Sequence, residues 1–510
     1  MVRGKYWSGA IFNLIGVLCL SVIALISTPL LISLMGDEVF AIFRISVVTV
    51  VSFAFLLDVG MSGSVKRYMG NAINNDDAEK QHRYMGLALA VYIAIALITL
   101  TLVTATSYWL PSYLSTPEEL VQGFKVLLWS VAVYVALLLV QSVGSNIFVV
   151  YGRFDLVQLI NVVSRFFLMF GVAFAVYVFK RPLFSAAIVT VSVSIVTLVV
   201  TMWLLRKTWG NWGVSLKGLS QSEIKGFFSL SFYGLLIALG PVVLYYGQDL
   251  IVVKGYGLDQ LVYYVPALVV STQLRVVMNS FASPVFSVAS RLHAKNDTVG
   301  LGRLVKVSIE RSFCIWLLMA SPIIMMAENL LGLWMGERFI ISSDILVVLV
   351  LGLIGLVLYL SPFQVLNACG KLKIVAASSI LMVLMFLLFC WLAVEVMKFG
   401  LVSVAGAMAI ALVIRGVVVF GVVMFEFKTY TFKQARIFLL KALLASALCF
   451  VGSHMLASLI VTPGFLGLVV EGLVLLSYSV VVVYFIMLPS EDKNLIALKI
   501  KHKFSKKDLV

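Results

Sequence analysis

The sequence predicts an all-α polytopic membrane protein: about fourteen transmembrane helices, set out as two pseudo-two-fold-related six-helix lobes with a C-terminal helix pair. Three observations predict it. Of 510 residues, 62% are hydrophobic and only 12% charged, and the mean hydropathy is +1.09, more apolar surface than a water-soluble fold of this length can hide. Apolar runs of roughly 20 residues, each long enough to cross a hydrocarbon core of about 30 Å, recur along the whole chain. The 38 Lys and Arg residues cluster in alternate loops.

The runs fall at about 9–35, 39–65, 85–110, 124–150, 156–179, 183–205, 227–253, 262–286, 305–326, 342–367, 374–396, 401–427, 438–460 and 465–488. The first is too long for a signal-peptide core and no small-residue cleavage site follows it, so it reads as a retained helix. Placing the N-terminus in the cytoplasm leaves only Lys125, Lys180, Arg181, Lys254, Arg338 and Lys398 in outer loops. The positive-inside rule then makes both termini cytoplasmic and the helix count even. The net charge of +15 faces anionic lipid and calls for no nucleic-acid partner.

The chain repeats itself. From Lys5 and again from Phe227, a helix, an acidic outer turn, a helix and a polar inner loop recur: "GDEVF" at 36–40 faces "LDQLV" at 258–262, and "INNDD" at 73–77 faces "KNDTV" at 295–299. "VVYGRFDLV" at 149–157 matches "LNACGKLKIV" at 366–375, each a tight Gly-basic turn. The expected organisation is an N-lobe at 1–205, a cytoplasmic linker at 206–226, a C-lobe at 227–430, a helix pair at 431–490 and a basic cytoplasmic tail at 491–510. Parallel repeats of this kind are related by an axis along the membrane normal, with the substrate path between them. The linker, carrying Trp209 and Trp212, is expected to be a tether with its tryptophans at the membrane interface.

"LLDVGMSGSVKRYMGNA", with its acid-x-Gly stretch ahead of Arg67 and Tyr68, resembles the end of the second helix in polysaccharide flippases of the multidrug/oligosaccharidyl-lipid/polysaccharide exporter superfamily. "NLLGLWMGERFIISSDILVVL" at 329–349 is similar to their outer turn between helices nine and ten, and "VLNACGKLKIVAASSI" to their Gly-basic turn. The resemblance covers the first twelve helices. It implies a two-lobed transporter that moves an undecaprenyl-pyrophosphate-linked oligosaccharide, an O-antigen or capsule unit, from the cytoplasmic to the outer leaflet of a bacterial inner membrane. The partners it implies are that lipid-linked sugar, membrane lipids and a polysaccharide polymerase.

Passing a diphosphate through the midplane means replacing its hydration, and arginine suits this because it stays charged and offers a planar fork matching phosphate oxygens two at a time. Arg165 lies about 16 Å into the fifth helix, with Asn161 and Gln158 one and two turns before it on one polar stripe. Arg275 in the eighth helix shares a face with Ser271, Thr272 and Asn279. Both stripes are expected to face a wet cavity. Arg44, Arg415 and Arg311 are further candidates: Arg44 close enough to the outer end to snorkel, Arg415 deep in the twelfth helix, and Arg311 beside Glu310 and Lys306 in a local charge network.

Asp58 and Asp249 are the candidates for ion coupling, Asp58 near the cytoplasmic end of its helix and Asp249 near the outer surface. Pro29 and Gly240-Pro241 interrupt the first and seventh helices and suit a hinge. Cys19, Cys314, Cys369, Cys390 and Cys449 have no metal-ligand spacing, so neither a metal nor a cofactor is expected. No Walker motif, long loop or acidic cluster points to an enzyme. A lipid II flippase is the alternative; a multidrug or cation antiporter is disfavoured because the first helix has no charge, and a non-transporting scaffold predicts silent arginine substitutions.

Overall fold

The computed structural model describes residues 2–75, 77–209, 213–217, 220–459 and 464–487; the tail at 491–510 and Trp212 lie outside them. Every regular element among them is helical. In chain order they are α1 (Val2–Met35), α2 (Asp37–Arg44), a π-helical turn (Ile45–Val50), α3 (Val51–Asn74), α4 (Ala78–Tyr113), α5 (Glu118–Val150), α6 (Phe154–Phe179), α7 (Pro182–Thr208) and α8 (Gln221–Tyr256). There follow α9 (Leu258–Ala294), α10 (Thr298–Met325), α11 (Ala327–Met335), a 3-10 turn (Glu337–Phe339), α12 (Ser342–Gly352), α13 (Ile354–Ala368), α14 (Leu372–Trp391), a second π-helical turn (Leu392–Val396), α15 (Val402–Phe427), α16 (Phe432–Leu459) and α17 (Gly464–Ile486). Among the described residues, fourteen helical stretches are long and apolar enough to cross a membrane.

The expected runs are all present, but many helices extend past them. α4 starts at Ala78 rather than near 85, because Asp77 caps it: its carboxylate accepts the Lys80 backbone N–H at 3.0 Å. That bond holds the Asp77 carboxyl below the usual carboxylate range. Asp297 caps α10 in the same way, accepting the Gly300 N–H at 2.7 Å.

The repeated turns share their geometry. Gly152 and Gly370 both close a helix at φ 71° and 73°, with Arg153 N–H bonding Phe148 O at 2.8 Å and Lys371 N–H bonding Leu366 O at 2.9 Å. This six-to-one bond is the Schellman closure, which puts its glycine in the left-handed region where a Cβ is strained. Gly36 and Gly257, at φ 78° and 106°, open the two acidic turns. The Gly-basic motif therefore encodes the same backbone turn twice.

The chain divides into two compact units, and the division departs from the repeat boundary. The first unit takes Met1–Val265 with Ser379–Val404; the second takes Pro266–Ser378 with Ala405–Val510. In the first, α8 packs along α3 and the first π turn, and α4 and α7 both lie against α5. Gly240 lets α8 close on α14, since a Cβ there would meet Met382 Cε at 2.8 Å and Ser379 Cβ at 3.1 Å. In the second, α16 and α17 pack on α10 rather than standing apart, with Ser321 bonded to Ser453 at 2.9 Å. α13 and α15 cross closely through Gly355 and Gly416.

Two expectations are corrected. α1 runs continuously through Pro29 and α8 through Pro241, so neither proline interrupts its helix. The linker is no loose tether. Ser215 N–H bonds the His82 carbonyl at 3.0 Å, Trp209 is buried with its ring 6.2 Å from that of His82, and Tyr84 Oη donates to Glu223 at 2.7 Å. Ser220 and Glu223 form a capping box at the start of α8. The glycines at 86 and 213 leave no Cβ to keep the strand off α4.

Candidate functional site

α6 has two unlike faces. Ile160, Ser164, Phe167 and Gly171 line an apolar groove of about 430 Å³ with Val193 and Thr197 of α7. The polar stripe of Gln158, Asn161 and Arg165 lies around the helix from that groove, as a 100° advance per residue requires. Asn161 is exposed and Arg165 half-buried. Gln158 lies against α1, where Gly16 makes room for its side chain.

Arg165 forms no hydrogen bond or ion pair with any described residue; the phenol of Tyr134, on α5, lies within the field of its charge. A guanidinium in this position has its fork open to an incoming anion. The expected stripe on α9 is less open. Arg275 is half-buried with Nε enclosed, Ser271 donates to the Leu268 carbonyl at 3.1 Å, and exposed Asn279 donates to the Arg275 carbonyl at 2.9 Å.

Arg44 and Asp249 overturn their expectations together. Arg44 does not snorkel outward, and Asp249 is not peripheral: the carboxylate is fully buried and bound by Arg44 Nε at 3.0 Å, Nη2 at 3.3 Å and Thr49 Oγ1 at 2.8 Å. Arg44 lies seven residues into α2 and Asp249 seven from the end of α8, so each is about 10 Å from its helix end and they meet at one depth.

Arg415 is also corrected. It is 2% exposed, its guanidinium lies 3.8 Å from the Tyr359 ring centroid, and it bonds the Tyr359 hydroxyl and Ser378. The arginine is a packing element of the second unit rather than a cavity lining. Arg311 is exposed near Glu310, which accepts from Tyr430, whose ring in turn sits 5.4 Å from Lys306 Nζ. Asp58 does not bond the start of a loop; it accepts from Tyr92 at 2.7 Å, inside a network reaching Asn146 and Ser62. Sequence inspection missed Tyr92 and Asn146, since neither is charged and the partners of each lie on other helices. Among the described residues no group of His, Cys, Asp or Glu is placed to hold a metal ion.

The MatE family model matches residues 14–175. A Shigella flexneri protein described as a "Putative O-antigen transporter" is 23% identical over 419 residues, covering 79% of this chain and 94% of that protein. An inward-facing multidrug resistance MATE family transporter of the MOP superfamily superposes with a TM-score of 0.70 at 16% identity, over 82% of this chain and 98% of its own. The lipid II flippase MurJ, in an inward closed conformation, superposes with a TM-score of 0.69 at 16% identity, over 93% of this chain and 98% of its own. Residues 14–175 thus resemble the MatE family, and the fourteen candidate spanning helices among the described residues take the fold of these multidrug and lipid II transporters.

Proposed function

We propose that this protein flips a polyprenyl-pyrophosphate-linked oligosaccharide, an O-antigen or capsule unit, from the cytoplasmic to the outer leaflet of a bacterial inner membrane, with both termini cytoplasmic. The observation that carries this is Arg165, a mid-helix guanidinium with no acid bound to it among the described residues. Holding an uncompensated cation at that depth is costly, and a diphosphate that visits it offsets the cost during transport. Asn161 beside it offers an amide for sugar hydroxyls or phosphate. Arg275 is the proposed second contact. The Shigella flexneri relative supports this class of cargo.

The alternative is a lipid II flippase, favoured by the wider span of the MurJ superposition, 93% of the chain. Both cargoes carry a polyprenyl diphosphate, so Arg165 serves either. The test is complementation in a strain lacking its polysaccharide flippase. The wild-type chain should restore surface polysaccharide, and Arg165→Gln should not, while reaching the membrane in equal amount. Rescue of peptidoglycan synthesis instead would favour the alternative, and full activity of Arg165→Gln would end the proposed role of the arginine.

A further inference from the structure

The second span changes register at Ile45–Val50, where the π-helical turn joins α2 to α3. Arg44 and Thr49 are five residues apart. In an α-helix they would diverge by about 140°, whereas i→i+5 bonding returns residues five apart to one face. On that face both reach Asp249: the guanidinium with two nitrogens at 3.0 and 3.3 Å, the hydroxyl at 2.8 Å. All three side chains are enclosed, at 12% exposure for Arg44 and 0% for Asp249 and Thr49.

A planar fork and a hydroxyl converging on two anionic oxygens is the donor set that a phosphate group takes as readily as a carboxylate. Removing one partner of a buried ion pair is costly because it strands the other charge, but exchanging one anion for another leaves the arginine compensated, and the displaced carboxylate is compensated in turn by water entering with the anion. We propose that Arg44 and Thr49 form a phosphate-binding site which Asp249 fills from within, and that a phosphate of the substrate's diphosphate displaces it. This rests on the cargo proposed above.

The exchange has a structural consequence. Asp249 sits on α8, while its donors sit on the second span. Releasing it leaves the same end of α8 tied to α4 through Lys254 Nζ, which donates to the Tyr113 carbonyl at 3.1 Å. Anion binding would therefore remove the buried tie between α8 and the second span while the Lys254 tie to α4 remains, coupling occupancy to the hold on that helix. The π turn is what makes the site possible, and such insertions persist where a function needs them.

The test uses the full chain in detergent with inorganic pyrophosphate as probe, followed by titration calorimetry. Asp249→Ala should bind pyrophosphate at least about tenfold tighter than wild type, and the gain should vanish in Asp249→Ala/Arg44→Gln and shrink in Asp249→Ala/Thr49→Val. Asp249→Asn, which keeps the side chain's shape, is measured beside it, so that a misfolded alanine variant leaves a readable result. Binding no tighter than wild type in the folded variant, or a gain that survives Arg44→Gln, overturns the site. Stronger competition by a polyprenyl diphosphate than by pyrophosphate supports a lipid-borne anion; equal potency overturns that source. Tight binding in Asp249→Ala beside a wild-type chain that flips no lipid-linked sugar would sink the cargo and keep the site, whereas flipping without the gain would sink the site alone.

Discussion

Tyr92 Oη donates to Asp58 Oδ1 at 2.7 Å where α3, α4 and α5 meet, and Asn146 Nδ2 donates to the same phenol oxygen at 3.3 Å. Ser62 Oγ continues the chain to Asn146 Oδ1 at 2.7 Å. Three helices are thus joined through one carboxylate and one phenol. Tyr92 is fully buried, so each of its bonds is made in surroundings where no water replaces it.

Tyr92→Phe should therefore leave Asp58 and Asn146 each one partner short and cost about 1–3 kcal/mol. Thermal unfolding in detergent measures it. Asp58→Asn keeps an oxygen acceptor and should cost less than Tyr92→Phe; equal midpoints for wild type and Tyr92→Phe would show that the network adds nothing to stability.

Arg415 poses a choice between binding and packing that substitution resolves. Its flat guanidinium lies 3.8 Å from the Tyr359 ring centroid, and Tyr359 itself stacks on Phe363 with ring centroids 5.4 Å apart. Lysine keeps the charge but loses the plane and the fork. Arg415→Lys should lower stability by about 1–2 kcal/mol while the transport that remains keeps its substrate dependence. A normal melting temperature with weakened substrate affinity would return Arg415 to the substrate path.

What the sequence made legible and what it hid follow from the range of the interactions. Helix existence is local, written in runs of about 20 apolar residues, and the Gly152-Arg153 and Gly370-Lys371 turns are local too, because a left-handed backbone position asks for glycine wherever it falls. The Gln158, Asn161, Arg165 stripe is visible as a helical period. Arg44 and Asp249 were each visible as charges, but their pairing spans 205 residues and needs a π turn that the composition of Ile45–Val50 does not mark. Arg415 looked like a cavity residue because its neighbours, Tyr359 and Ser378, belong to other helices.

The crossing of α13 and α15 depends on absent side chains. A Cβ on Gly416 would strike the Gly355 carbonyl oxygen, and one on Gly355 would strike the backbone of Leu412. Backbone cannot step aside as a flexible side chain can. Gly416→Ala should cost about 1–3 kcal/mol through overpacking, and Gly421→Ala, where no atom lies within 4 Å of the added carbon, should be nearly neutral. Equal melting temperatures for the two variants would contradict the close crossing.

The docked linker gives a prediction that separates it from a flexible tether. Its backbone lies against α4 at Gly86, where an added Cβ would meet the Ser215 carbonyl oxygen, and at Gly213, where it would meet the His82 ring at 2.7 Å. The Ser215 N–H bond to the His82 carbonyl, 3.0 Å long, holds the strand in place. Gly86→Ala pushes the strand away without touching the helix's own hydrogen bonds. Cleavage by trypsin at Lys217, which is exposed beside the dock, requires local opening, and its rate follows the population of the open form. Losing about 1.4 kcal/mol of docking energy should raise that rate about tenfold, with the melting temperature of the helical core nearly unchanged. A free tether would be cut at the same rate in both proteins, and that result would dismiss the dock.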